Sequence, residues 1–251
     1  MADDPPILSH LIKDVFKTLN KRGYSSVQLD SYIQLFLDAI KPKMHVLDVG
    51  SAFGFITLQA LKRQAYVTAN DLEKEHLKIL KQNTPVSLLP YLTLIEGRFP
   101  DHLAFPPASF DLIVFSQVLH FLPGEQILKG LQQAFDWLKP NGKIFITATT
   151  PYAKVMKKFF PIYKERKELG LPWPGTVKDL SLYCDNEEIL YQNPSFMNFL
   201  DPQTLEDVCQ NVGFRIQKCG FFGRQDFPSF LQGEDSENVG LIAVKPDIEQ
   251  I

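Results

Sequence analysis

His45-Val-Leu-Asp-Val-Gly-Ser-Ala-Phe-Gly54 reads as an apolar strand, an acid at its end, a glycine-bearing turn and the start of a helix. Gly50 and Gly54 let the backbone approach a ligand closely, and unsatisfied N–H groups at a helix start favour an anionic group. Asp48 sharpens this, because an acid beside the loop repels a pyrophosphate and pairs with an ammonium. A ligand with both carboxylate and ammonium, such as an amino acid, answers both features. One strand and helix later, Tyr66-Val-Thr-Ala-Asn-Asp71 places a second acid at a strand end. That is the spacing at which nucleotide-binding sheets hold ribose hydroxyls. The dinucleotide fingerprint G-x-G-x-x-G is not met, since from Gly50 the matching positions are Ala52 and Phe55. An amino acid and a ribose held in one site describe S-adenosylmethionine better than a dinucleotide.

Outward from this stretch, short β-rich runs at His45–Val49, Tyr66–Ala69, Leu92–Ile95, Leu112–Phe115 and Lys143–Thr147 alternate with segments of helical period, such as Ile127, Leu128, Leu131, Ala134, Phe135 and Leu138. Such alternation implies right-handed crossovers and a mostly parallel sheet covered on both faces. Upstream, Ile7, Leu8, Leu11, Ile12, Val15, Phe16 and Leu19 have amphipathic helical spacing, and a second helix carries Ile33, Phe36, Leu37 and Ile40. Downstream, Asp201-Pro202 starts a helix that ends at Gly213. Phe214–Phe222 and Val239–Val244 then read as two strands joined through a polar loop at Gly233, Glu234, Asp235 and Ser236.

With these landmarks in place, the sequence resembles the class I S-adenosylmethionine-dependent methyltransferases over about residues 44–150 and, more loosely, 201–246. The resemblance extends to Ser109-Phe-Asp-Leu-Ile-Val-Phe115, to Gln117-Val-Leu-His120 and to the turn Leu138-Lys-Pro-Asn-Gly-Lys143. It implies an α/β, Rossmann-like, doubly wound sheet of seven mostly parallel strands with an antiparallel last strand, N-terminal helices and a helical lid insert. It divides the chain into an N-terminal helical cap (1–43), a cofactor-binding core (44–150 and 201–251) and a substrate-lid insert (151–200). Carried over residue by residue, Asp48, Gly50, Ser51, Ala52 and Gly54 surround the methionine end of the cofactor, and Asp71 with Leu72 holds the ribose and flanks the adenine. Ser116 and Gln117 lie near the sulfonium. S-adenosyl-L-homocysteine is the product. Two positions depart from the family pattern. Ala52 replaces the middle glycine of the loop, which matters if the backbone needs φ > 0 there. Arg98 stands where an acid usually accepts from the adenine amine, leaving that contact to the Phe99 backbone or to stacking by Arg98.

Methyl transfer from a sulfonium needs a nucleophile held close to the methyl with water excluded. A carboxylate or thiolate acceptor needs no base, whereas a phenol or hydroxyl benefits from one. His120, just after the fourth β-run, is the expected catalytic residue, as base or as substrate contact, against the plainer reading of a packed histidine. No histidine has a partner at metal-ligand spacing, so no metal site is expected. In 151–170, Tyr152, Val155, Met156, Phe159, Phe160 and Tyr163 share a helical face beside Lys154, Lys157, Lys158, Lys164, Arg166 and Lys167. A lid over an apolar substrate fits this segment, with Tyr24, Tyr152, Phe159 and Trp173 lining the pocket; a basic patch for peripheral membrane contact is the alternative.

The chain has 251 residues with 26 Lys+Arg against 29 Asp+Glu, a net charge of −3. That balance and the absence of an N/D-P-P-Y/F element after the fourth run argue against a nucleic-acid substrate. Three unpatterned cysteines suit a reducing cytoplasm, and no integral membrane segment or export signal is visible. The expected activity is methylation of a small, largely apolar or aromatic acceptor, at oxygen. A protein or nucleic-acid methyltransferase, and a non-catalytic scaffold that keeps the fold, are the rivals; Ala52 and Arg98 favour the last. The motifs do not set an oligomeric state.

Overall fold

A computed structural model describes residues 15–227, 229 and 231–247. In chain order the strands are β1 (Val15–Lys17), β2 (Tyr24–Ser26), β3 (His45–Val49), β4 (Tyr66–Asp71), β5 (Leu92–Glu96), β6 (Phe110–Ser116), β7 (Leu138–Thr149), β8 (Thr176–Val177), β9 (Met197–Asn198), β10 (Arg215–Phe222) and β11 (Asn238–Val244). The α-helices are α1 (Ser31–Ala39), α2 (Phe55–Lys62), α3 (Lys74–Asn83), α4 (Gly124–Trp137), α5 (Phe160–Glu168), α6 (Glu187–Gln192) and α7 (Pro202–Val212).

Seven strands form one sheet in the order β10-β11-β7-β6-β3-β4-β5. β7, β6, β3, β4 and β5 run parallel, and β11 is antiparallel to both β7 and β10. This is the expected doubly wound sheet, with the last strand inserted beside β7. Because helices cover both faces, the central strands are continuous apolar runs: Leu112 to Phe115 are all buried. One face packs on α4 and α7 through Leu131, Ala134, Trp137, Leu205 and Val208, the other on α1 and α2 through Ile33, Phe36, Leu37 and Leu61. The α7 signals are realised as read. Asp201 Oδ1 accepts from the Thr204 N–H at 2.9 Å, and Gly213 closes the helix at φ 110°.

Three expectations change. The predicted helix over 7–19 ends instead in strand: Val15–Lys17 pairs antiparallel with Tyr24–Ser26, and the remainder of that call, through residue 14, lies outside the described residues. Of the expected N-terminal helical pair the structure therefore describes one helix, α1, after a hairpin. The Leu138–Lys143 turn is drawn into the start of β7, with Asn141 at φ 63° taking up the distortion. The insert, read without strands, holds the short ladder β8 with β9, and its single amphipathic helix is split into a 3₁₀ turn at Lys154–Met156 and α5. It has a core of its own, built from Met156, Phe159, Tyr163, Leu180, Ile189 and Phe199. Among the described residues no helix is long and apolar enough to cross a membrane.

Helix α1 approaches the sheet closely at Gly240 of β11, where an added Cβ would lie 2.2 Å from the Tyr32 ring. Tyr32 is buried, so its ring cannot swing into solvent. Gly240→Ala is expected to destabilise the fold by about 1–3 kcal/mol through overpacking. Thermal denaturation checks this, and an unchanged melting temperature would mean that α1 shifts freely.

Candidate functional site

The C-terminal ends of β3, β4, β5 and β6 open into a cleft of about 370 Å³. Its floor is Asp48, Gly50, Ser51 and Ala52 after β3, Asp71 and Leu72 after β4, Arg98 and Phe99 after β5, and Ser116 and Gln117 after β6. Ten of the eleven positions expected around the cofactor thus meet in one cavity. Gly54 does not line it. Its φ of 81° and the absence of a Cβ let Leu80 pack 2.1 Å from where that Cβ would sit, so Gly54 serves helix packing.

The turn's amide donors are mostly spent within the protein, contrary to the free N–H groups expected there. Ser51 N–H donates to the Asn70 carbonyl, Gly54 N–H to the Ser51 carbonyl, and Ala52 N–H to Asp71 Oδ2 at 2.8 Å. What is left over is the Ser51 hydroxyl, a buried oxygen without a hydrogen-bond partner among the described residues. It lies in the cleft beside Asp48, so a donor for a carboxylate sits next to an acid for an ammonium. Asp48 is buried and accepts from Thr57 Oγ1 at 2.6 Å. Desolvation outweighs that bond and pushes its pKa up to about 6. A cationic group entering the cleft would reverse this penalty. These features fit S-adenosylmethionine: Asp48 and Ser51 would hold its amino-acid end, Asp71 its ribose.

Asp71 carries more structural duty than its spacing suggests. Besides Ala52, it accepts through Oδ1 from the Glu73 N–H at 2.8 Å, and His76 Nδ1 lies 3.1 Å from the same oxygen. His76 Nε2 accepts from the Leu19 N–H at 3.0 Å, which requires the proton on Nδ1, pointing at Asp71. The fully buried His76 therefore ties the hairpin of β1 and β2 to Asp71. That hairpin roofs the cleft with Thr18, Arg22 and Tyr24. It is fastened to the insert by Gln192, whose Nε2 donates to the carbonyls of Thr18 and Gly23, and by Tyr24, whose hydroxyl donates to Glu188.

A second cavity of about 100 Å³ adjoins the cleft, sharing Arg22, Tyr24, Gln117, Phe121 and Phe227 with it. His120 lines this second cavity, not the first. It is buried, and burial pushes its pKa down to about 3. Its Nδ1 accepts from the Thr149 N–H at 3.3 Å, leaving the ring proton on Nε2. The walls from the insert are Ala153, Val155, Met156, Leu180, Ile189, Met197 and Phe199.

Of the expected substrate residues only Tyr24 lines these cavities. Phe159 is fully buried inside the insert's own core. Tyr152 stacks with Phe160, Tyr163 and Phe221, and Trp173 lies against Gly124 at the start of α4. Apart from Phe199, the insert's large aromatics are spent on filling it, and smaller apolar side chains face the cavity. Nor do all the basic side chains of 151–170 face outward. Arg166 donates to the carbonyls of Pro174 and Thr176, and Lys158 and Lys167 pair with Asp185 and Asp201, while Lys154, Lys157 and Lys164 are exposed. Arg22, His76 and Thr57 carry no motif; the cavity lining reveals the first and bond partners the other two.

Ala52 does adopt the left-handed region, at φ 46°. A Cβ there is costly, so Ala52→Gly is expected to stabilise the protein by about 0.5–1 kcal/mol. A rise in melting temperature checks this; a fall would show that the methyl group makes contacts worth more than the backbone strain.

A family model described as a methyltransferase domain matches residues 46–142. A ubiquinone biosynthesis O-methyltransferase from Idiomarina loihiensis is 32% identical over 199 residues, 78% of this chain and 74% of that one. The chloroplastic 2-methyl-6-phytyl-1,4-hydroquinone methyltransferase of Arabidopsis thaliana is 30% identical over 125 residues, 49% of this chain and 35% of that one. Most of the curated relatives are spanned over less than two thirds of their own length. Among solved structures, a SAM-dependent methyltransferase from Methanosarcina mazei superposes with a TM-score of 0.64 at 16% identity, covering 87% of this chain and 99% of that one. A shared sheet, a matching domain model and a relative matched over about three quarters of its length converge on one assignment. The chain belongs to the class I S-adenosylmethionine-dependent methyltransferases, whose cofactor is S-adenosylmethionine.

Proposed function

We propose that the protein methylates a small, largely apolar acceptor at oxygen, in the cytoplasm. The observation that carries this reading is the pair of adjoining cavities, a polar cleft suited to the cofactor and a smaller, mostly apolar chamber roofed by the hairpin and the insert. A roofed chamber of about 100 Å³ favours a small molecule over a nucleic acid or a protein chain. The ubiquinone biosynthesis O-methyltransferases among the relatives point the same way. In this reading residues 1–43 are a cap, 44–150 and 201–251 the cofactor-binding core, and 151–200 the lid.

S-adenosylmethionine supplies an electrophilic methyl on a positively charged sulfur. Asp48 would hold its ammonium, Ser51 its carboxylate and Asp71 a ribose hydroxyl. Gln117 stands between the two cavities with its side chain anchored on Asn238 Oδ1 at 3.1 Å. The chamber's apolar walls exclude water, so orientation and desolvation supply much of the rate. His120, neutral and carrying its proton on Nε2, is assigned as a hydrogen-bond donor to the acceptor in preference to a general base.

The cofactor should raise the melting temperature, and no shift at millimolar concentration would sink the assignment. Because the folded pKa of Asp48 lies above its unfolded value, its contribution to stability is full below about pH 4 and is lost as pH rises through about 6. Asp48→Asn should therefore stabilise the ligand-free protein at pH 8 by about 2–3 kcal/mol and abolish the cofactor-induced shift. In the unmodified protein, cofactor affinity measured by calorimetry should weaken as pH falls through about 6.

His120→Ala should lower turnover at least roughly tenfold with cofactor affinity unchanged. The pH profile of turnover between 5 and 8 should lack an imidazole limb. A limb near pH 6.5 that disappears in the variant would restore the general-base role.

A further inference from the structure

Four side chains that can ionise line the second cavity: Arg22, Tyr24, His120 and Glu237. Glu237 is spent on the backbone, its Oε1 accepting from the Arg224 N–H at 2.8 Å and its Oε2 from the Gly233 N–H at 3.0 Å. Tyr24 gives its hydroxyl proton to Glu188 at 3.2 Å, and burial with the Glu188 charge pushes its pKa up. His120 is occupied at Nδ1 and depressed by burial. None of the three is set up to take a proton from an acceptor near neutral pH.

Arg22 is different. It sits at the junction and lines both cavities, half-buried, with its guanidinium 5.8 Å from the Phe121 ring centre. No carboxylate of the described residues forms an ion pair with it. Burial and the Arg98 charge both push its pKa down, against the pull of Asp71. A partly desolvated guanidinium next to a second cation is a site for an anion, and its planar fork suits a carboxylate.

We propose that Arg22 recognises the carboxylate of an apolar methyl acceptor, so that the product is a methyl ester. This rests on the methyltransferase reading above and narrows it. An acceptor that arrives ionised needs no base, which matches a chamber without one. A carboxylate lone pair forms the new O–CH₃ bond as the S–CH₃ bond breaks, the bonding pair stays on sulfur, and no proton is released. The negative acceptor and the positive sulfonium are neutralised together. At about 100 Å³, and open to the cleft, the chamber suits a short aliphatic or single-ring acid.

The cofactor's own methionine carboxylate is the competing source of the anion, and calorimetry on the full chain separates the two. S-adenosylhomocysteine is titrated into the wild type and Arg22→Gln. Hexanoate, benzoate and phenylacetate, with their neutral amides, are then titrated into each protein saturated with S-adenosylhomocysteine. The proposal expects equal S-adenosylhomocysteine affinity in the two proteins, carboxylates bound at least tenfold tighter than the amides, and that preference lost in Arg22→Gln. Incubation with S-adenosylmethionine should yield the methyl ester of a bound acid, read by mass spectrometry. Failure of all three acids to bind, or amides bound as tightly as acids, overturns the proposal. So does a tenfold loss of S-adenosylhomocysteine affinity in Arg22→Gln, which would assign the guanidinium to the cofactor. Failure of the wild type to bind S-adenosylhomocysteine would instead overturn the underlying methyltransferase reading.

Discussion

The carboxylate of Asp71 holds three separate parts of the chain at once. One oxygen takes the Ala52 N–H of the β3 turn; the other takes the Glu73 N–H at the start of α3 and faces His76, which in turn fastens Leu19 of the hairpin. The floor of the cofactor cleft, its side wall and its roof are thus indexed to one side chain. A buried carboxylate with this many donors keeps a fixed orientation. The same bonds explain why Ala52 tolerates its left-handed backbone: the strained residue is held by the hydrogen bond that its own N–H makes.

The roof is a joint product of two segments far apart in sequence. Gln192 is buried and fills the carbonyls of Thr18 and Gly23, the Gly23 N–H returns a bond to the Gln192 carbonyl, and Lys21 lies 4.0 Å from the centre of the Tyr191 ring. On the other flank, Arg224 bonds Asp226 and faces Asp30, joining the loop after β10 to the start of α1. Neither the hairpin nor the insert is held over the cleft by the sheet alone, so a change in either is transmitted to the walls of the second cavity.

How much of this was legible in the sequence follows from whether the deciding interactions are local. The β-runs, the β3 turn and the cap at Asp201 with the stop at Gly213 depend on neighbours within a few residues, and their patterns predict them. Val15, Phe16 and Leu19 suit an amphipathic helix, yet Val15–Lys17 becomes a strand because its partners are Tyr24–Ser26, with Gln192 and His76 holding the turn between them. The aromatic-rich insert shows the same limit from the other side. Composition announces that Phe159 and Tyr163 will be buried, but not that they are buried against each other and Phe199, with Val155, Met156 and Met197 left to face the cavity. His120 is the sharpest case, since its place after β6 follows from the motif while its protonation is decided by burial and by a backbone donor from β7.

The charges of the site form a balanced set only when it is filled. Asp48 is an acid buried at an energetic cost, and Arg22 is a half-buried cation with no ion-pair partner among the described residues. Functional sites commonly carry such local destabilisation, which binding then relieves. Asp48 calls for a cation in the cleft, and Arg22 calls for an anion at the junction with the second cavity. In the reaction proposed above, a positive methyl donor in the cleft meets a negative acceptor in the adjoining cavity, which the neutral His120 lines. A reaction that annihilates opposite charges is favoured by a poorly solvated environment, because the charges it consumes are those that such an environment disfavours. A neutral acceptor would give up that advantage and would also need a base that the chamber does not provide.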